Sequence, residues 1–152
     1  MKKILKYIGT IVLILLIPAA LAFVPIGNNI ILHKHTNELK KFKLNADYKV
    51  SAIDSKCGKL AGNGNGMQYF SALLIHSKEA LKWENDEWGG VFLINIKDHA
   101  FAEFMDENNF GGYCPNIKAK LKEIKNSENY YVLYSYYSAD LNSIWNIDLR
   151  AH

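Results

Sequence analysis

The two cysteines are the side chains whose chemistry the sequence restricts most. Cys57 and Cys114 are the only cysteines among 152 residues. A redox-active pair normally lies in a Cys-x-x-Cys motif beside a helix N-terminus, and a zinc site needs about four Cys and His ligands at short spacings. Neither pattern is present, whereas one pair in an exported domain is typical of a structural disulfide. The sequence therefore predicts a disulfide between Cys57 and Cys114.

Histidines offer a second kind of chemistry. His33 and His35 are one residue apart and could approach one metal ion, but no third ligand lies near them in the sequence. We interpret both as polar residues beside a membrane segment, and we predict no metal and no cofactor. An exported hydrolase could instead assemble a site from scattered residues such as His76, His99 and Asp148, although no G-x-S-x-G motif marks a nucleophile.

Residues 57–70 read CGKLAGNGNGMQYF, a glycine-rich stretch of the kind that can hold phosphate or calcium. A P-loop would need lysine after its last glycine, a dinucleotide fingerprint would need a third glycine at its fixed spacing, and an EF-hand would need carboxylates at both ends. All three are missing. Asn-Gly dipeptides readily adopt positive φ, so we predict a hairpin connection between strands 48–56 and 67–76. Asn63 and Asn65 in this loop are candidate contacts to a ligand or partner.

Residues 130–138 read YYVLYSYYS and form a predicted strand with an unusual number of tyrosines. The period of two places Tyr130, Tyr134 and Tyr136 on one face. An exposed row would suit a protein or glycan partner, and Tyr134 and Tyr136 are the candidate contacts. The alternative is a half-buried strand whose rings pack in the core.

A last predicted strand covers residues 144–150, IWNIDLR, where apolar and polar residues alternate. Arg150 and Asp148 share one face of this strand. They form either a surface ion pair or a clamp for a ligand, and Arg150 is therefore a further candidate contact.

Residues 7–26 indicate the cellular compartment of the chain, which limits the chemistry that its side chains can perform. They are uncharged and apolar, they follow Lys2, Lys3 and Lys6, and twenty residues of helix cover the roughly 30 Å of a bilayer core. The same segment resembles a signal peptide cleaved after Ala22. Because apolar residues continue to position 26, we favour a retained transmembrane helix or signal-anchor.

The orientation of this helix follows from weaker signals. Lysines flank residues 7–26 on both sides, so the charge rule is close to a tie. A short N-terminal tail usually stays inside while a large domain crosses, and the predicted disulfide suits an oxidising compartment. We therefore predict a single-pass protein of the cell membrane with its C-terminal domain outside the cytoplasm.

The composition excludes one class of partner. The chain has 18 basic and 15 acidic residues, and the excess lies before the apolar segment. A neutral body lacks the basic face that binds nucleic acid, so we predict no nucleic-acid partner. The abundance of Lys, Asn and Ile suggests an A/T-rich bacterial genome.

The predicted architecture is an α+β domain behind an anchor. Residues 1–6 form a basic tail, 7–26 the membrane helix, 27–45 an amphipathic juxtamembrane stalk and 46–152 the domain. Short helices are predicted after Ser77, after Asp98 and over residues 116–126. Strands at both ends of the domain imply a largely antiparallel sheet with two or three short helices on one face.

These patterns favour a membrane-anchored protein, held through residues 7–26, whose domain binds an unknown protein or glycan and performs no catalysis. The alternatives are a secreted protein cleaved after Ala22 and an exported hydrolase.

Overall fold

The computed structural model describes residues 2–60, 67–83 and 90–139. Three α-helices and four strands make up this part of the chain. In chain order they are α1 (Lys2–Lys40), β1 (Tyr48–Gly58), β2 (Gln68–Ser77), β3 (Val91–Asn95), α2 (His99–Phe104), a 3₁₀ helix (Phe110–Tyr113), α3 (Pro115–Leu121) and β4 (Tyr130–Ser138). The predicted strand over residues 144–150 lies outside the described residues.

The four strands form one antiparallel sheet in the order β1-β2-β4-β3. The α+β class and the antiparallel sheet are therefore confirmed. The predicted pairing of the strands on either side of the glycine-rich loop is also confirmed, because Gly58 at the end of β1 pairs with Gln68 at the start of β2. The central strands β2 and β4 are the most deeply buried.

One face of the sheet carries the short helices, as predicted. Alternate residues of β2 and β4 pack there against α2, the 3₁₀ helix and α3, in agreement with the period of two along a strand. The buried residues of this core are Phe70, Ala72, Leu74, Phe104, Cys114, Ile117 and Val132.

The opposite face is covered by the C-terminal half of α1. Leu39 packs with Leu73 and Ile75 of β2 and with Leu133 of β4 in a second buried core. The sheet is therefore buried on both faces. The segment predicted as a stalk, residues 27–45, continues α1 as far as Lys40 and lies against the sheet.

The N-terminal half of α1 has a different environment. Apolar side chains from Ile11 to Ile17 are exposed. Pro18 and Pro25 lie inside the helix without ending it, as membrane helices tolerate. Between Gly9 and Lys40, α1 is long and apolar enough to cross a bilayer. One continuous helix thus carries both an apolar, uncovered segment and a surface that packs on the domain.

Candidate functional site

Two buried polar contacts join α1 to the central strand β2. The Tyr69 hydroxyl donates a 3.0 Å hydrogen bond to Asn28 Oδ1. The hydroxyls of Thr36 and Ser71 lie 2.8 Å apart in a second buried hydrogen bond. Because buried polar groups are costly when unpaired, these contacts fix the position of α1 along the sheet.

The contacts also give the direction of α1 relative to the strands. Asn29 lies beside Cys57, with Oδ1 3.9 Å from Sγ, and Leu32 packs on the cluster that contains Met67. Leu39, further along the helix, packs on Ile75. The apolar end of α1 therefore projects from the end of the sheet where β1 stops and β2 starts.

That end of the sheet carries the glycine-rich connection. The Leu60 amide donates to Gln68 Oε1 at 2.6 Å, and the Ala139 amide donates to the Met67 carbonyl at 2.9 Å. The first bond joins the two flanks of the loop to each other, and the second joins the Met67 flank to the residue that follows β4. The candidate contacts Asn63 and Asn65 themselves lie outside the described residues, as does Arg150.

A cleft of about 410 Å³ lies between α1 and the edge of the sheet formed by β4 and β3. We call it the α1 cleft. Its lining residues are His35, Glu38, Leu39, Phe42, Gly90, Val91, Ser135, Tyr136, Tyr137 and Ser138. Tyr136, one of the candidate contacts predicted from the sequence, borders this cleft, but its ring packs on Phe110 on the other face of the sheet.

His35 is a half-buried titratable residue that lines this cleft. Burial lowers the pKa of its imidazole, while a hydrogen bond to the Ser135 backbone and the nearby Glu38 carboxylate act in the opposite direction. Its Nε2 atom is buried and has no hydrogen-bond partner among the described residues. The arrangement provides a neutral imidazole at the wall of a cleft with one carboxylate.

The sequence did not single out this role for His35. The signal was present in the helical spacing, because Asn28, Leu32, His35 and Leu39 recur at intervals of three and four and all face the sheet. His33, two residues earlier, is exposed on the opposite side of the helix.

The tyrosine-rich strand is β4. The rings of its two candidate residues, Tyr134 and Tyr136, pack against other aromatic side chains and do not form an exposed row. The Tyr134 ring lies 4.7 Å from that of Phe104 and 4.9 Å from that of Phe92, measured between centroids. Burial raises the pKa of Tyr134. Tyr136 packs on Phe110 in the same cluster. On the α1 face, Tyr137 is 51% exposed, so the accessible tyrosine of this strand is Tyr137.

The predicted disulfide is not formed in the structure. Cys57 packs with Met67 and Tyr69 on the α1 face of the sheet, whereas Cys114 packs with Ile117 on the α3 face. A disulfide needs Cβ atoms about 4 Å apart and facing each other, which two thiols on opposite faces do not provide. Burial raises the pKa of the Cys114 thiol to about 12, and the Asp54 carboxylate adds to the rise.

The scattered hydrolase residues are not brought into a deep pocket by the described part of the chain. The His99 side chain is 90% exposed, with Nδ1 3.5 Å from Glu103 Oε1. The His76 ring packs at a tilt against Tyr130, with 4.5 Å between the ring centroids, and borders open grooves. Asp148 lies outside the described residues. Within residues 2–60, 67–83 and 90–139, no three His, Cys, Asp or Glu side chains form a group that could hold a metal.

The fold and this cleft define a small α+β domain joined to a long apolar helix. No protein-family model, curated protein or solved structure matches the chain.

Proposed function

We propose that the protein is a single-pass membrane protein whose α+β domain lies outside the cytoplasm and binds a partner without catalysis. The observation that supports it most is the continuity of α1, which has an uncovered apolar half and a half that packs into the core of the domain.

The uncovered half gives the physical reason for an anchor. Side chains from Ile11 to Ile17 contribute a contiguous apolar surface with about half or more of each side chain exposed. Soluble monomers rarely expose such a surface to water, whereas the hydrocarbon core of a bilayer accommodates it at no cost. The membrane is therefore the proposed environment of this half of α1.

The outward orientation is proposed from the size of the domain that follows the helix. With the thiols on opposite faces of the sheet, a disulfide no longer contributes to this argument. The lysines after the apolar segment keep the charge rule near a tie.

The α1 cleft supports binding as the activity. It joins a desolvated imidazole at His35, the Glu38 carboxylate and the partly exposed ring of Tyr137, which suits a polar protein segment or a glycan. No described hydroxyl is hydrogen-bonded to His35 Nε2, so the cleft lacks a nucleophile activated by this histidine.

A secreted protein cleaved after Ala22 is the second candidate, and one observation favours it. Among the α1 residues whose burial the structure describes, the buried ones follow Ala22, so cleavage would keep their contacts with the sheet; they are Val24, Asn28, Thr36 and Leu39. The two candidates differ in whether Phe23 is the mature N-terminus.

Cysteine labelling tests the orientation. A Lys49→Cys variant places an exposed thiol on β1, and Lys3→Cys places one before the apolar segment. An impermeant maleimide should label position 49 in intact spheroplasts and position 3 only after lysis. The reverse pattern would put the domain in the cytoplasm.

Photo-crosslinking in cells tests the binding role. A benzophenone amino acid at Tyr137 should give a discrete adduct that an identical probe at Lys49 does not give. Equal adducts, or none, at both positions would contradict a partner at the α1 cleft.

A further inference from the structure

We infer that the domain is seated directly on the membrane, with one end of its sheet against the lipid headgroups and with Lys56 and Lys59 binding anionic headgroup phosphates. This inference rests on the proposed function, because it requires that α1 enters a bilayer.

The register of α1 leaves no room for a linker between bilayer and domain. Asn28, which is hydrogen-bonded to Tyr69, lies only two residues beyond position 26, where the uncharged apolar run ends. Two residues of helix span about 3 Å. The headgroup layer on each side of the hydrocarbon is thicker than that, so the contact between Asn28 and Tyr69 falls within it.

The side of α1 that faces away from the sheet also indicates that this part of the helix lies in the headgroup layer. Ile26 is 54% exposed and Ile30 is 64% exposed, on turns of the helix whose other side already packs on the sheet. An apolar outer side beside a buried inner side is expected where a helix leaves the hydrocarbon while already in contact with its domain. The membrane interface and the domain therefore overlap along this part of α1.

The strands run along α1, so one end of the sheet faces the bilayer. Gln68 and Ser138 are paired at the end near Asn28, and Lys49 and His76 are paired at the other end. His76 lies eight positions after Gln68 in β2, which is about 26 Å of strand. The two ends of the sheet should therefore lie at clearly different heights above the membrane.

The end near Asn28 carries the positive charge that anionic headgroups would attract. Lys56 and Lys59 are both exposed there. Lys56 Nζ lies 4.7 Å above the ring of Tyr113, and the Tyr113 hydroxyl donates a 2.6 Å hydrogen bond to the Leu60 carbonyl.

Spin-label relaxation on the full chain in vesicles tests the seating. Nitroxides are attached at Ser138→Cys and, as the matched control at the other end, at Lys49→Cys. The vesicles contain phosphatidylcholine with or without phosphatidylglycerol, plus a lipid whose headgroup chelates Ni²⁺. We expect several-fold stronger relaxation at position 138 than at position 49, and a further increase with phosphatidylglycerol.

Charge reversal tests the lysines. The pair Lys56→Glu and Lys59→Glu should abolish the increase caused by phosphatidylglycerol, whereas Lys49→Glu with Lys78→Glu should leave it unchanged. Equal relaxation at positions 138 and 49 would overturn the seating. The role of Lys56 and Lys59 would be overturned in either of two cases. The difference in relaxation between positions 138 and 49 could be the same with and without phosphatidylglycerol, or both charge-reversed pairs could lose the increase equally.

A third label separates this inference from the proposed function. A nitroxide at Val12→Cys should show the high oxygen and low water accessibility of hydrocarbon. If position 12 is in hydrocarbon but positions 138 and 49 are equivalent, only the seating fails. If position 12 is in water, the anchor fails, and the inference that rests on it fails too.

Discussion

The hydroxyl of Tyr69 on the central strand β2 donates a buried 3.0 Å hydrogen bond to the side-chain oxygen of Asn28 on α1. This contact joins the apolar helix to one end of a central strand of the sheet without an intervening linker. The position and tilt of the helix are therefore coupled to the fold of the domain, because a shift of either would leave a buried oxygen unpaired.

Tyr69→Phe should destabilise the protein by about 1–3 kcal/mol, because it leaves Asn28 Oδ1 buried without its donor. Tyr137→Phe is the matched control, since its ring stacks on that of Tyr69 at 6.0 Å but is half exposed. Urea denaturation of the full chain in detergent micelles measures both. Equal effects of the two substitutions would show that the contact between Tyr69 and Asn28 does not stabilise the docked helix.

Asp54→Ala should cost about 2–3 kcal/mol of stability. The buried Asp54 carboxylate accepts hydrogen bonds from the amides of Asn116 and Ile117, at 3.2 and 2.8 Å, in the first turn of α3. Charge-assisted bonds at a helix start are among the stronger ones.

Asp98→Ala is the control for Asp54→Ala. Asp98 occupies the predicted N-cap position of α2 but makes no side-chain capping bond, so its loss should change stability by less than about 0.5 kcal/mol. The same unfolding experiment compares the two variants. A larger loss for Asp98→Ala than for Asp54→Ala would contradict the assignment of Asp54 as the residue that holds α3 on β1.

The buried His35 should make stability depend on pH. Burial lowers the pKa of the folded imidazole below its unfolded value of about 6.5, so the unfolded chain binds the proton more readily. The stability that neutral His35 provides is present above that value and is lost as pH falls through it toward the folded pKa. Glu38, which lines the same cleft, reduces the loss by attracting the protonated ring.

Unfolding measured between about pH 8 and pH 5 checks this dependence. His35→Gln should flatten the decline, whereas His33→Gln, exposed on the same helix, should leave it as in the wild type. If stability declines with falling pH as steeply in His35→Gln as in the wild type, His35 is not the group that causes the decline.

Both thiols should resist alkylation until the domain unfolds. Cys57 and Cys114 are buried on opposite faces of the sheet, and a thiol with a pKa of about 12 holds almost no reactive thiolate near neutral pH. Mass spectrometry after alkylation should show no adduct in native protein and two adducts in urea, with or without prior reduction. Adducts that appear in urea only after reduction would establish a disulfide and a different packing of β1 and the segment before α3.

The sequence predicts alternation along the strands correctly but does not show what covers each face. Tyr130, Tyr134 and Tyr136 share a face of β4, as the period of two requires. Leu32 and Leu39 lie on the side of α1 that packs on the sheet, but periodicity alone does not distinguish a helix side that faces lipid, solvent or a sheet. That α1 covers the second face of the sheet, and that His35 is therefore half-buried, could be learned only from the structure.

Tertiary contacts override one local signal. Ser77 accepts a hydrogen bond from the Glu79 amide, as a helix N-cap would, yet residues 78–83 are not helical. Leu81 is buried in the core on the α1 face, and its amide donates to the Tyr131 hydroxyl at 3.1 Å. The disulfide prediction was limited in a similar way, since spacing along a chain does not say on which side of a sheet a cysteine will point.

Intact mass of the protein recovered from the membrane fraction of expressing cells tests most directly whether α1 is both anchor and part of the domain. We predict the mass of a chain that retains residues 1–22, found in membranes and released by detergent but not by high salt. A soluble product whose mass begins at Phe23 would contradict the anchor and establish a secreted domain that keeps only the packed half of α1.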